Sequence, residues 1–256
     1  MITAAARVSP AWLALREPAD AAARSAELAE HLGRHLPTTG PLAIHDLGGG
    51  SGAMGRWLAP RLPGHQHWVV HDRDADLLEL AVESPPAWAT VDARGSDITR
   101  LVAEDLAGAS LIVASALLDL LTADELAAML AACAGRPMLL ALTVVGRVTL
   151  TPARPLDARI AAAFDAHQRR ATAAGRLLGP DAVPAALEQL RGAELIVRPS
   201  PWHLDATQAG LIAAWFDGWV AAACEQEPAL ADEVRAYRER PPVAVTVDHA
   251  DLLVLP

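Results

Sequence analysis

The chain has no lysine and no asparagine, and all 21 of its basic residues are arginine. Schiff-base, pyridoxal-phosphate and P-loop mechanisms each need a lysine, so none of them is open to it. Cysteine is nearly absent. Cys133 and Cys224 lie in alanine-rich helical patterns without metal-ligand spacing and read as small buried hydrophobes, in keeping with a cytoplasmic protein. No Cys/His cluster and no paired carboxylates stand at ligand spacing, so no metal site is expected. Positive charge is also short: 31 acidic against 21 basic residues give a net charge of −10, the wrong sign for a surface that tracks a nucleic-acid backbone. The longest apolar run, Pro137 to Val145, falls far short of the roughly 20 residues that span a bilayer. No charged-then-apolar leader opens the chain. The expectation is a cytoplasmic protein that meets a small molecule, with neither nucleic acid nor membrane as partner.

What is present is 256 residues, 52% of them hydrophobic, enough to bury one full core. The organising stretch is Leu42 to Gly55, LAIHDLGGGSGAMG, an apolar strand that ends in Asp46 and opens into glycines before a helix. Glycine lets the backbone take φ > 0 and lie directly against a ligand, while the following helix offers unpaired N–H groups. Asp72 closes the next strand, HWVVHD, where a carboxylate can accept from two ribose hydroxyls. Two ligand classes use such a turn. The literal G-x-G-x-x-G, Gly50 to Gly55, is the dinucleotide fingerprint. That register puts Gly48 and Gly49 in the apolar end of the strand and leaves Asp46 unexplained. Read as D-x-G-x-G-x-G, from Asp46 to Gly52, every position has a use.

In this register the chain resembles the class I S-adenosylmethionine-dependent methyltransferases. The resemblance implies S-adenosyl-L-methionine as cofactor, with Gly48, Gly49, Gly50 and Gly52 under its methionine part. It implies Asp46 at the amino end and Asp72, followed by Arg73, at the ribose. By the same resemblance Asp97 and Ile98 of GSDIT meet the adenine; Ser115, at the end of the fourth strand, is placed to face the sulfonium side of the pocket. The segments AHQRR, LGPDA, SPWHL and HADLLVLP are similar to bacterial proteins described only as S-adenosylmethionine-dependent methyltransferases, nearly end to end. A nicotinamide oxidoreductase and a cofactor-binding protein without catalysis remain the alternatives.

The expected fold is α/β, a doubly wound, seven-stranded, mostly parallel sheet with a helical cap, as one domain over 1–256. Residues 1–40 form a helical lid, 41–146 the cofactor-binding core, 147–192 an insertion and helix, and 193–256 the last strands with a helical insertion. Strands are expected at Ala43–Asp46, Trp68–His71, Thr90–Ala93, Ser110–Ala114, Met138–Val145, Glu194–Arg198 and Ala250–Leu255, the last antiparallel to the one before. Helices are expected at 9–36, interrupted at Pro18, at Ala53–Leu62, Ala75–Val82, Ala123–Ala134, Leu156–Ala174, Ala182–Arg191 and Ala229–Arg240. Another follows SPWHL. Thr122 and Glu125 read as a capping box.

The acceptor is the least legible part. Ser115 to Leu118 hold nothing like the N/D-P-P-Y element that grips amide or exocyclic amines. This points away from those acceptors and toward a small molecule, with a protein hydroxyl or carboxylate as the further alternative. Methyl transfer needs alignment and, for some acceptors, a base. His167 and His203, expected above the strand ends, are the candidate bases, and Trp12, Arg147, Gln168 and Trp202 the candidate substrate contacts. A homodimer is left open, as are the acceptor atom and its identity.

Overall fold

The computed structural model describes residues 8–256. Its centre follows from β1, Leu42–Leu47, whose successive side chains point to opposite faces of the sheet. Ile44 packs on one side with Leu28, Leu32, Met54 and Trp57, and Leu47 on the other with Leu126, Met129 and Ala182. A strand apolar on both faces belongs in the middle of a sheet covered on both sides.

Around it stand β2 (Gln66–Asp72), β3 (Ala89–Gly95), β4 (Leu111–Ser115) and β5 (Met138–Thr151). Then come a short hairpin, β6 (Ala171–Thr172) with β7 (Gly175–Arg176), and finally β8 (Glu194–Pro199), β9 (Trp202–Leu204) and β10 (Ala244–Leu255). The sheet order is β3-β2-β1-β4-β5-β10-β8. The first five are mutually parallel, and β10 runs antiparallel to both β5 and β8. This is the expected seven-stranded arrangement with one addition: β9, from SPWHL, pairs with β10 from Val245↔Leu204 to Val247↔Trp202.

The helices are α1 (Pro10–Ala23), α2 (Ala26–His35), α3 (Ala53–Leu58), α4 (Ala75–Glu83), α5 (Ala123–Cys133), α6 (Asp157–Gln168), α7 (Ala182–Gln189), α8 (Ala209–Gln226) and α9 (Glu233–Arg238). The Thr122–Glu125 capping box forms at the start of α5, with both reciprocal bonds made.

Four expectations need correction. The first helix runs through Pro18 and ends at Ala23 instead, with the Arg16–Asp20 and Glu17–Arg56 pairs holding its turns beside the proline. The region after Val145, including Arg147, is not yet a loop: β5 continues to Thr151 because β10 starts early, at Ala244, and supplies a partner as far as Thr151. The helix expected over Leu156–Ala174 stops at Gln168, where Arg169 turns away to bond Asp181 and the β6–β7 hairpin begins. The helix expected over Ala229–Arg240 shrinks to a single turn of 3-10 helix, Pro228–Leu230, and α9. The extended β5–β10 ribbon, β9, α6, α8 and α9 share a core of their own, built on Trp202, Phe216, Trp219 and Tyr237, with Trp12 packed against it. No helix among the described residues is long and apolar enough to cross a membrane.

Candidate functional site

The turn after β1 is built as its glycines require. Gly48, Gly50 and Gly52 have φ of 65°, 53° and 80°, a left-handed conformation that other residues rarely adopt. Gly49 is needed for space: a Cβ there would stand 2.7 Å from the Asp46 carboxylate and 2.8 Å from Val70 Cγ1. Asp72 braces the loop, accepting from the Gly50 N–H at 3.0 Å and the Asp74 N–H at 2.9 Å. Helix α1 crosses directly above. Leu13 Cδ1 lies 3.5 Å from where a Gly50 Cβ would be, and Glu17 takes two bonds from Arg56 of α3, at 2.8 and 2.7 Å.

Under that crossing lies a pair of opposite charges short of partners. Asp46 is fully buried with neither carboxylate oxygen hydrogen-bonded, and burial pushes its pKa up to about 7 against the pull of Arg24. Arg24, in the break between α1 and α2, is buried too. Its Nη2 donates to Ser115 Oγ at 3.1 Å, while Nε and Nη1 have no partner. Burial lowers its pKa, and the nearby Asp20, Asp251 and Asp46 act in the other direction. Asp251 of β10 pins this corner, accepting from the Ser25 and Leu142 N–H groups, both at 2.8 Å. Ala116 and Leu142 at the same rim hold φ of 52° and 54°, unusual for residues with a Cβ.

At the far end of the loop, Asp97 accepts from the N–H and hydroxyl of Thr99, at 3.1 and 2.7 Å, so it caps the short turn Ile98–Arg100. Those bonds hold its pKa below the usual value. Arg73 reaches Asp97 at 3.8 Å, and Ile98 is buried among the side chains that pack on α5. Beneath the rim, His45 Nδ1 lies 3.0 Å from His71 Nε2, and His71 Nδ1 lies 3.0 Å from Ser96 Oγ. Burial lowers both histidines to about 4, so this chain is neutral at physiological pH.

On the other side of Arg24, one helical turn back along α1, Asp20 accepts from Trp202 Nε1 at 3.0 Å and from Arg16 at 2.9 and 3.1 Å. The Trp202 ring is flanked by the Arg16 guanidinium, 5.0 Å from its centroid, and by the His249 ring at 5.5 Å. His249 is only 5% exposed and its Nδ1 has no partner. Burial, then the charge of Arg16, lowers its pKa to about 4. In the turn after β4, Asp119 Oδ1 is also buried without a partner, and burial raises that carboxyl to about 6.

Of the residues singled out by sequence, Asp46, the glycines, Asp72 and Ser115 thus meet at one rim, and Trp202 joins them through Asp20. His167 bonds Glu225 between α6 and α8, 3.1 Å away, and His203 points outward from β9 toward Thr246 Oγ1 at 3.4 Å. Arg147 is exposed and pairs with Asp248 at 3.0 Å. Gln168 ends α6 against Gly179. The sequence reading places Arg24 only within the helical lid of residues 1–40, and it does not single out His249. Both carried a signal: Arg24 directly precedes the Ser25 helix cap, and His249 and Asp251 interrupt an apolar strand with a period of two.

No protein-family model and no curated protein matches this chain. Among solved structures, a loganic acid methyltransferase with SAH aligns over 94% of both chains at 11% identity, with a TM-score of 0.51. The plantazolicin methyltransferase BpumL in complex with SAH covers 95% of this chain and 86% of its own, at 12% identity and a TM-score of 0.41. An S-adenosylmethionine-dependent methyltransferase from Mesorhizobium loti covers 88% and 97%, at 18% identity and a TM-score of 0.39. At these identities the likeness is one of fold: the first of these alignments agrees with a class I methyltransferase architecture for this chain.

Proposed function

We propose that this protein binds S-adenosyl-L-methionine across the glycine loop and transfers its methyl group to a small molecule. The observation that carries the reading is the buried Asp46–Arg24 pair, one carboxylate and one guanidinium with four polar atoms free of partners. Buried charges without hydrogen bonds are costly, so such a pair is expected only where a ligand completes it. An α-amino acid end, ammonium toward Asp46 and carboxylate toward Arg24, supplies the complementary charges. A dinucleotide does not: its pyrophosphate would meet the Asp46 carboxylate, which weighs against a nicotinamide cofactor.

When bound, the cofactor would supply an electrophilic methyl group carried on a sulfonium. The chain's own residues hold and align. Asp72, already oriented by Gly50 and Asp74, keeps lone pairs for the ribose, and the loop glycines admit close backbone approach. Helix α1 excludes water, with Arg24 fixed by Ser115 at the inner end of the site and Leu13 over the loop. His167 and His203 already hold other partners, so no role in proton removal is assigned to either.

Calorimetry tests this directly. S-adenosylhomocysteine should bind at micromolar or tighter affinity, NAD and NADP should not, and Asp72→Ala should weaken binding at least about tenfold, since each charge-assisted bond is worth roughly 1.5–3 kcal/mol. Binding of NAD with no response to S-adenosylhomocysteine would overturn it.

A further inference from the structure

One edge of the central sheet is open and apolar, a feature independent of the methyl-transfer reading. β8 is bonded to β10 on one side and to no other strand among the described residues on its outer side. Its sequence, ELIVRP, sets three apolar residues between an acid and a base. Leu195 packs on the cluster that holds α7, Ile196 on the one that holds α2, and Val197 is 36% exposed. Sheet edges are commonly kept apart by charges within the strand. β3, at the opposite edge, follows that rule, with Asp92 and Arg94 exposed in its middle. In β8 the charges flank the apolar run instead.

One bond fixes which backbone groups point outward. The Ser200 N–H donates to His249 O at 2.9 Å, in line with the β8–β10 register. Hydrogen-bonded positions alternate along an antiparallel pair, so Glu194, Ile196 and Arg198 face β10, whereas Leu195 and Val197 turn their N–H and C=O groups to the open side. Arg198 lies at that side too. It bonds Glu27 of α2 at 2.9 and 2.6 Å, and its Nη1 donates to Val197 O at 3.0 Å. These bonds leave one N–H free on Nη1 and one on Nη2.

We propose that β8 is a homodimer interface, in which two copies of the strand pair antiparallel about a two-fold axis at Ile196. In this register Leu195 of each copy lies opposite Val197 of the other, and each such pair exchanges two backbone hydrogen bonds. Ile196 meets Ile196. Glu194 meets Arg198 at both ends, in the closely spaced, non-hydrogen-bonded positions where cross-strand charges interact well. Centring the pair on Val197 or on Leu195 opposes Ile196 to Arg198 or to Glu194 and loses both ion pairs. The charges therefore choose both the partner and the register. Because β8 is parallel to β1 through β5, its Pro199 end lies on the glycine-loop side of the sheet. The second copy runs the other way, so the two cofactor sites open at opposite ends of one continuous sheet.

Sedimentation velocity on the full-length protein, from roughly 1 μM to 1 mM, covers the range in which so small an interface associates. Wild type should be dimeric at the upper end. Glu194→Arg and Arg198→Glu each bring like charges together at both ends of the pair, and each should weaken dimerisation at least about tenfold. Mixed in equal amounts, the two variants present opposite charges at both ends again, and a mixed dimer should form at an affinity near that of wild type. Hydrogen exchange on wild type needs no variant and separates this edge from every other face. The Leu195 and Val197 amides should exchange several-fold more slowly as the protein is concentrated, while the Ile196 amide, which faces β10 in either state, should not change. A monomer throughout, a dimer that neither charge reversal weakens, variants that fail to associate when mixed, or unchanged exchange at Leu195 and Val197 overturns the proposal.

Discussion

Replacing Asp46 by asparagine should make the cofactor-free protein more stable and a poorer binder at once. The carboxyl is fully buried with no hydrogen bond and titrates at about 7, against 3.8 for an unperturbed group. At ~1.36 kcal/mol per pH unit, that difference amounts to about 4 kcal/mol held against the ionised native state above neutrality. The sign follows from proton binding. Because the native carboxyl keeps its proton to higher pH than the unfolded one, wild-type stability falls as pH rises from about 4 to 7 and is lowest above that range. Asparagine cannot ionise, so the variant lacks this slope. Allowing for relaxation around the site, a gain of roughly 2–4 kcal/mol at pH 8 corresponds to a rise in Tm of roughly 5–15 °C for a domain of this size. Near pH 4.5 the two proteins should differ by about 1 kcal/mol or less. Thermal denaturation at both pH values, with and without S-adenosylhomocysteine, reads both effects, and the ligand should stabilise wild type far more than the variant. A variant less stable than wild type at both pH values, or one that keeps full affinity, would show that Asp46 is satisfied within the chain and would remove the central support for the proposed ligand.

Arg24→Met should weaken S-adenosylhomocysteine at least about tenfold while leaving adenosine, which has no amino-acid end, within about twofold, because only the former loses a charge-assisted contact; parallel titrations with the two ligands check this. Gly49→Ala should destabilise the protein by about 1–3 kcal/mol in urea denaturation, since its methyl would overlap the Asp46 carboxylate and Val70. Glu17→Gln removes the half-exposed latch that ties α1 to Arg56. It should change stability by no more than about 1 kcal/mol yet speed S-adenosylhomocysteine dissociation several-fold in stopped-flow, and an unchanged rate would mean that α1 does not gate the site.

Where local chemistry alone decides, sequence was a sufficient guide. The β1–glycine–α3 turn needs left-handed positions and no Cβ against Asp46, and the glycines stand at those places. The Thr122–Glu125 box is likewise a contact between residues three apart. Strand ends and helix lengths were less secure wherever a distant partner set them. Thr151 stays extended only because Ala244 comes to lie beside it, and α6 ends where Arg169 finds Asp181.

Apolar periodicity and backbone sterics act over a few residues, so the sequence alone carried the core strands and the glycine cradle, while the order of the sheet and its reversed last strand followed from the resemblance to class I methyltransferases. Only the tertiary structure decided which polar groups face one another in the interior. Packing sets His167 beside Glu225 and His203 beside Thr246, and it buries His249 against Trp202. Arg24 reads as one charge among many on a lid, until burial removes its water and sets it beside Asp46 and Ser115. Whether a titratable side chain is a solvated ornament or a site is a matter of desolvation and of what lies across from it. Those are properties of residues 91 and 182 positions apart, brought together only by the fold.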